Sequence, residues 1–215
     1  MKAVWYEQIG AADEGVAVGK IDEPEVSDGE ALVRIRTSGV NPSDVKTRAG
    51  ARGELQFPRI IPHSDGAGNI EAVGNGVDKN RIGERVWLWN GAFGRAFGTC
   101  AEYISLPANQ AVEMPENSTF EAGACMGIPA STAYHGVFSG GSVKNKTLLV
   151  TGGAGAVGHY AIQLAKWDGA QVVATVSSPE KGLAAKEAGA DLVVNYKTRS
   201  EEHTTELQSH LNLVC

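Results

Sequence analysis

The sequence predicts an α/β chain in two parts, a β-rich first half followed by a doubly wound parallel sheet. Three observations predict it. Residues 1 to about 112 read as short alternating runs separated by turn clusters. From about residue 120, helical periodicity alternates with short β-branched runs. The apolar run TLLV then passes directly into GGAGAVG, a glycine turn placed where a buried strand meets a helix. With 215 residues, 42% of them apolar and 20% charged, the chain is long enough for two modest domains.

In the first part the predicted strands are KAVWYEQ, ALVRIRTSG, NIEAVGNG, ERVWLWNG and TCAEYISL. Arg34 and Arg36 alternate with Val33 and Ile35, the period of a strand wet on one face. NPSDVKTRAG reads as a turn opening a short helix, with Asn41 or Ser43 as cap and Gly50 as stop. In the second part come a helix through AGACMGIPASTAYHGVF, the strand TLLVTG, the helix GAVGHYAIQLAKW, the strand AQVVATVSS, the helix SPEKGLAAKEAG and the strand DLVVNY. That succession is the right-handed parallel unit of a doubly wound sheet. Val157, Ala161, Leu164 and Ala165 have the spacing of a helix lying on a sheet.

A net charge of −6 and the lack of any Lys/Arg cluster leave no electrostatic footprint for nucleic acid or an anionic membrane. No stretch reaches the roughly 18 apolar residues of a membrane span, and MKAVWYEQIG has no signal-peptide core, so the expectation is a cytoplasmic protein. Cys100, Cys125 and Cys215 are an odd count without CxxC spacing, which argues for free thiols over disulfides or a thiolate zinc site.

Gly153, Ala154, Gly155, Ala156, Val157 and Gly158 fit G-x-G-x-x-G in a strand-to-helix context. Gly153 is expected to allow the tight turn, Gly155 the approach of a pyrophosphate, and Gly158 close helix packing, with the helix N-terminus facing the phosphates. The alternative is a tight turn without a ligand. The next strand ends Thr175-Val176-Ser177-Ser178-Pro179-Glu180-Lys181, with two hydroxyls and a lysine where NAD binders carry an acid on the ribose. Ser177 and Ser178 can donate to a 2′-phosphate and Lys181 can neutralise it, so NADPH is favoured over NADH. Glu180 competes for the ribose, but Pro179 places it in the first helical turn, where the dipole also favours an acid.

Together with GVNPSDVKTRAG, PRIIPHSDGAGNIEAVGNGV, GERVWLWNG, GIPASTAYHGVF, ATVSSPEK and AGADLVVNY, this turn resembles the medium-chain dehydrogenase/reductase superfamily, specifically its zinc-free quinone oxidoreductase (zeta-crystallin-like) branch. The resemblance covers about residues 1–198. It implies a GroES-like β-barrel catalytic domain over 1–120, the first half of an NADPH-binding Rossmann domain over 121–198, and a homodimeric parent. Zinc-dependent relatives carry a cysteine where this chain has Asn41 and a histidine where it has Ser64, and amide and hydroxyl are poor Zn²⁺ ligands. His63, beside Asp65, then reads as structural, and no metal is expected.

What the resemblance implies is hydride transfer to a quinone or an α,β-unsaturated carbonyl. Asn41 and Asp44 are expected near the nicotinamide, Thr132 in contact with it, residues 153–158 on the pyrophosphate, and Ser177, Ser178, Lys181 and Tyr196 around the 2′-phosphate. Each has a plainer reading: Asn41 as a helix cap, Thr132 as a core hydroxyl. Lys46 and Arg52 stand where relatives often carry pocket tyrosines, a departure that favours an anionic or strongly polarised acceptor. Trp87, Trp89, Phe93 and Phe97 serve pocket or core, and His135 and His159 are assigned no chemistry. A second reading is an NADPH-binding protein kept for structural or regulatory duty.

Only three strands of the parallel sheet are legible, 148–151, 172–176 and 192–194, one mononucleotide half. The remaining RSEEHTTELQSHLNLVC resembles, over residues 199–210, the conceptual translation of a sequencing adapter, with Thr205 where the adapter gives Ser. Residues 199–215 are therefore expected to be a non-native tail. The alternative is an amphipathic helix with Ser200 as cap and Leu207, Leu211 and Val214 on one face. On the first reading the chain exposes a sheet edge and much of one face, and is itself inactive while an intact parent is active.

Overall fold

The first alternating run forms β1 (Lys2–Tyr6), which leads through the single-turn α1 (Ala12–Gly15) to β2 (Val16–Lys20), antiparallel with Trp5 opposite Ala17. The structure is a computed structural model that describes residues 1–198 and the backbone of residues 212–214. The chain divides into two compact units, Met1–Ile128 and Pro129–Cys215.

The first unit is organised by β3 (Glu30–Gly39), α2 (Pro42–Arg48), β4 (Asp65–Val73), β5 (Arg85–Leu88), β6 (Tyr103–Pro107) and β7 (Ala111–Glu113). The five strands form an antiparallel sheet in the order β6-β3-β4-β5-β7. The alternation along β3 holds: Val33 is buried and Arg34 and Arg36 are exposed. Ala31, Val33, Ile70, Val86, Leu88, Ile104 and Leu106 make one core.

β4 begins at Asp65, earlier than the apolar run at Asn69 suggests. Gly66 and Gly68 lie within that extension. In the sheet, a Cβ on Gly68 would run into the Arg34 carbonyl, beside the register shift between Ile35 and Thr37, so glycine there admits a close backbone approach at a bulge.

The long helix expected over 122–138 is divided. Thr119 caps α3 (Phe120–Gly123), its Oγ1 accepting from Ala122 N–H at 3.2 Å. A π-helical turn, Met126–Ala130, follows and carries Pro129, and α4 (Ser131–Phe138) resumes beyond it. Proline supplies no N–H, so the α-helical ladder cannot run through residue 129 unaltered.

The second unit adds β8 (Thr147–Val150), α5 (Ala156–Trp167), β9 (Gln171–Val176), α6 (Pro179–Glu187), β10 (Leu192–Asn195) and a backbone strand β11 (Asn212–Val214). The sheet is parallel, in the order β10-β9-β8-β11. The fourth strand goes beyond the three legible in sequence: it pairs with β8, Leu213 opposite Leu149, and occupies the edge expected to be open. Val214 lies in that strand and not on a helix; Ser200, Leu207 and Leu211, like the 199–210 resemblance, fall outside the described residues.

α5 buries Gly158, Ala161, Ile162 and Ala165 against Leu148, Val150, Val172 and Ala174. The buried face is rotated toward Ile162 from the predicted one, and Val157 and Leu164 pack at its margins. On the opposite face of the sheet, Leu149, Val173 and Val194 are also buried, where exposure was expected.

Candidate functional site

The glycine turn in the second unit makes one site. Its left-handed residue is Gly152 (φ 63°), not Gly153, which corrects the expected division of labour. Gly153 is instead a packing residue: its N–H donates to the Thr175 carbonyl at 3.0 Å, and a Cβ there would sit 2.8 Å from Ala174 Cβ. Gly155 is the N-cap of α5, exposed, and a Cβ on it would approach only the Gly152 carbonyl, at 3.2 Å. Gly158 is buried, and a Cβ would collide with that same carbonyl oxygen, so this glycine lets α5 sit on the turn. Ala156, Val157 and Gly158 occupy the first turn of α5, where N–H groups have no intrahelical acceptor and the dipole end is positive.

Beyond β9, the strand tip carries the second cluster. Lys181 Nζ donates to Ser177 Oγ at 3.0 Å. Ser178 N-caps α6, its Oγ accepting from Lys181 N–H at 3.3 Å, and its hydrogen bond to Glu180 holds that carboxyl below its ordinary pKa. Tyr196, exposed just past β10, donates its N–H to the Val176 carbonyl at 3.1 Å, which places it beside the same tip. Ser177, Lys181 and Tyr196 thus share one end of the sheet, with Ser178 spending a lone pair as a helix cap.

The first unit holds the other candidates. Asn41, buried, is the N-cap of α2; its N–H donates to the Asp44 carboxylate at 2.7 Å and its side-chain amide to Asp65 Oδ2 at 2.8 Å. The capping role and a site role therefore coexist at this residue. Asp65 is fully buried and its carboxylate also accepts from Ile128 N–H at 2.9 Å. Burial pushes its pKa up, and the Ile128 and Asn41 hydrogen bonds oppose that. Asp44 is likewise raised, chiefly by burial, against the Asn41 N–H and the nearby His63 and Arg52. Asp65 is the residue sequence reasoning passed over. Its signal was an acid inside a glycine-rich strand start, legible only once β4 is extended back to it.

Asp44 borders a cavity of about 480 Å³ together with Tyr6, Ser43, Arg52, His63 and Phe93. Arg52 therefore reaches the pocket as anticipated, whereas Lys46 is exposed on α2 and does not line it. The aromatic stripe separates: Phe93 lines this cavity, Phe97 borders a shallow cleft beside Phe57, and Trp87 and Trp89 line neither. Thr132 belongs to the second unit and is exposed on α4, which sets aside its reading as a core hydroxyl. Among the described residues no three His, Cys, Asp or Glu side chains are grouped to hold a metal, and no helix is long and apolar enough to cross a membrane. Asn41 has committed its amide to Asp65, and the neighbouring His63 uses Nδ1 on Ser38.

Two known families match. Residues 27–116 match the alcohol dehydrogenase GroES-like domain and residues 156–214 the zinc-binding dehydrogenase family. The chain is 33% identical to a 2-methylene-furan-3-one reductase of Solanum lycopersicum, over 94% of this chain and 54% of that protein. It is 31% identical to the quinone oxidoreductase of Pongo abelii, over 92% of this chain and 59% of that one. A mycobacterial protein solved in complex with NADPH superposes with a TM-score of 0.82 at 28% identity, covering 97% of this chain and 62% of its own. The chain thus spans between half and two thirds of the length of these relatives. Two domain matches in this order, on a five-stranded antiparallel sheet followed by a glycine turn in a parallel one, place the chain in the medium-chain dehydrogenase/reductase superfamily.

Proposed function

We propose that the protein is an NADPH-dependent, zinc-independent oxidoreductase whose acceptor is a quinone or an α,β-unsaturated carbonyl. The observation that carries this reading is the pairing, in one unit, of an open turn at the N-terminus of α5 with a lysine–serine contact at the tip of β9. Gly155 leaves room for a diphosphate, and the first-turn N–H groups of residues 156–158 face outward from the helix end. Ser177 and Lys181 suit a 2′-phosphate, with Ser178 and Tyr196 at its margins; the hydrogen Ser178 gives Glu180 is the one a phosphate would compete for.

The cofactor supplies a hydride. What this chain supplies is position and charge: near-attack placement of the acceptor, and hydrogen bonds to the oxygen on which charge develops. Asp44 lines the α2 end of the first-unit cavity, Asn41 holds the Asp44 carboxylate through its N–H, and both, with Thr132, are assigned to the nicotinamide by resemblance. The complete protein's homodimer belongs to this proposal, and so does a cytoplasmic setting, supported by the free thiols of Cys100 and Cys125.

The test is steady-state oxidation of NADPH by the complete protein, followed by nicotinamide absorbance, against a panel of quinones and enones. Turnover with at least one acceptor is expected. Binding of NADPH with no turnover across the panel would leave only the non-catalytic reading.

A further inference from the structure

His63 holds a left-handed backbone (φ 76°), a conformation side chains adopt only under constraint. Of the three non-glycine residues with positive φ among the described residues, His63 and Asn90 both line the first-unit cavity. A directed chain of hydrogen bonds fixes the ring. Thr99 Oγ1 donates to the Asp65 carbonyl at 2.6 Å, so it can only accept from Ser38 Oγ, 2.8 Å away. Ser38, having given its hydrogen to Thr99, accepts from His63 Nδ1 at 2.9 Å. The ring proton therefore sits on Nδ1, and Nε2 has no protein partner among the described residues. Ser38 is not part of the cavity lining whereas His63 is, which leaves Nε2 as the ring nitrogen available to a ligand. Ser43 Oγ, on the same cavity, is buried without a partner and offers a second polar contact.

We infer that His63 is the proton donor to the reduced acceptor, acting through Nε2 on the acceptor oxygen. The inference rests on the reading of function above. Reduction of a quinone to a hydroquinone takes one hydride, which NADPH provides, and one proton. The imidazolium Nε2–H bond breaks, its electron pair stays on nitrogen, an O–H bond forms on the acceptor oxygen, and the neutral ring regains a proton from solvent. The Ser38–Thr99 relay keeps Nδ1 protonated throughout, so only Nε2 exchanges.

Burial holds the His63 imidazole below its ordinary pKa and Asp44 works against that. The other titratable groups around it are Tyr6 from β1, Arg52 and Glu54 after α2, Asp65 of β4, and Arg95 and Cys100 before β6. A carbonyl oxygen, and more so an oxyanion, favours the charged ring and draws its pKa upward.

The test has two arms. In the first, the His63 ring is titrated by NMR with and without menadione, in the absence of NADPH; menadione should raise its pKa. In the second, kcat/KM of the complete protein for menadione is measured across pH. The wild-type value should fall tenfold per pH unit above the imidazole pKa. His63→Asn, which tolerates the left-handed φ, should lose about 10²-fold or more and the pH limb with it, with NADPH affinity unchanged. His63→Gly, suited to the same φ, guards against misfolding and should show the same loss. Retention of the rate within twofold in both variants, or an unmoved His63 titration, overturns the inference. A wild-type protein that oxidises no NADPH with any acceptor refutes the reading of function instead; the NMR arm then still decides, a raised pKa upholding the contact and an unmoved one overturning it.

Discussion

Replacing Asp65 by alanine should destabilise the first unit more than any surface change near the cavity. Its carboxylate is 0% exposed and is the acceptor for the Asn41 amide at 2.8 Å and the Ile128 N–H at 2.9 Å. Two buried donors left without a partner cost about 1–3 kcal/mol each. Part of that is offset because a buried carboxylate no longer has to be desolvated, so the net loss should be about 2–4 kcal/mol. On a unit the size of Met1–Ile128 this corresponds to roughly 6–16 °C in Tm. Asp65→Asn keeps the shape and the acceptor for Ile128, and should cost about 1 kcal/mol or less at neutral pH.

The two variants also separate by pH. The folded pKa of Asp65 is raised, so its protonated form is the one the fold favours. That contribution is fully present below the unfolded pKa and is lost as pH rises through the folded one. Wild type should therefore lose stability relative to Asp65→Asn as pH rises above the ordinary carboxylate range and through the raised folded pKa. Tryptophan fluorescence melts suit the measurement, since Trp5, Trp87 and Trp89 lie in the first unit and Trp167, in the second, is 79% exposed. Alanine melting within about 2 °C of wild type, less than 1 kcal/mol on this scale, would refute the two-donor reasoning. A pH-independent gap between wild type and Asp65→Asn would refute the burial of charge.

Two further outcomes concern the second unit. Lys181→Ala should weaken NADPH binding about tenfold, or about 1.4 kcal/mol, and leave NADH unchanged, as measured by calorimetric titration; an unaltered preference removes the 2′-phosphate assignment. Gly158→Ala should destabilise by about 1–3 kcal/mol, because its Cβ meets the Gly152 carbonyl and lies 3.0 Å from Gly153 Cα. Gly155→Ala, with only the Gly152 oxygen at 3.2 Å, should melt close to wild type yet bind NADPH poorly. Equal melting of the two variants would mean that the turn does not divide packing from binding between these glycines.

What the sequence determined by itself is what short-range chemistry dictates. Period-two alternation marked β3, β-branched runs marked the parallel strands, and Ser178 with Pro179 announced the start of α6. A glycine turn between an apolar strand and an amphipathic helix was legible because all its parts lie within about fifteen residues. Tertiary structure decided the rest. β4 reaches back to Asp65 across Gly66 and Gly68 because β3 lies against those glycines, and Pro129 inside an apolar run gave no hint of a π-helical turn. Gly152 and Gly153 cannot be told apart in sequence, since which one turns and which one packs depends on Ala174 across the sheet. Asp65 joins Asn41 to Ile128, and Ser38, His63 and Thr99 converge from three separate segments. Whether a polar side chain is a solvated ornament or a buried hub is set by which distant backbone comes to rest against it, and no local pattern encodes that.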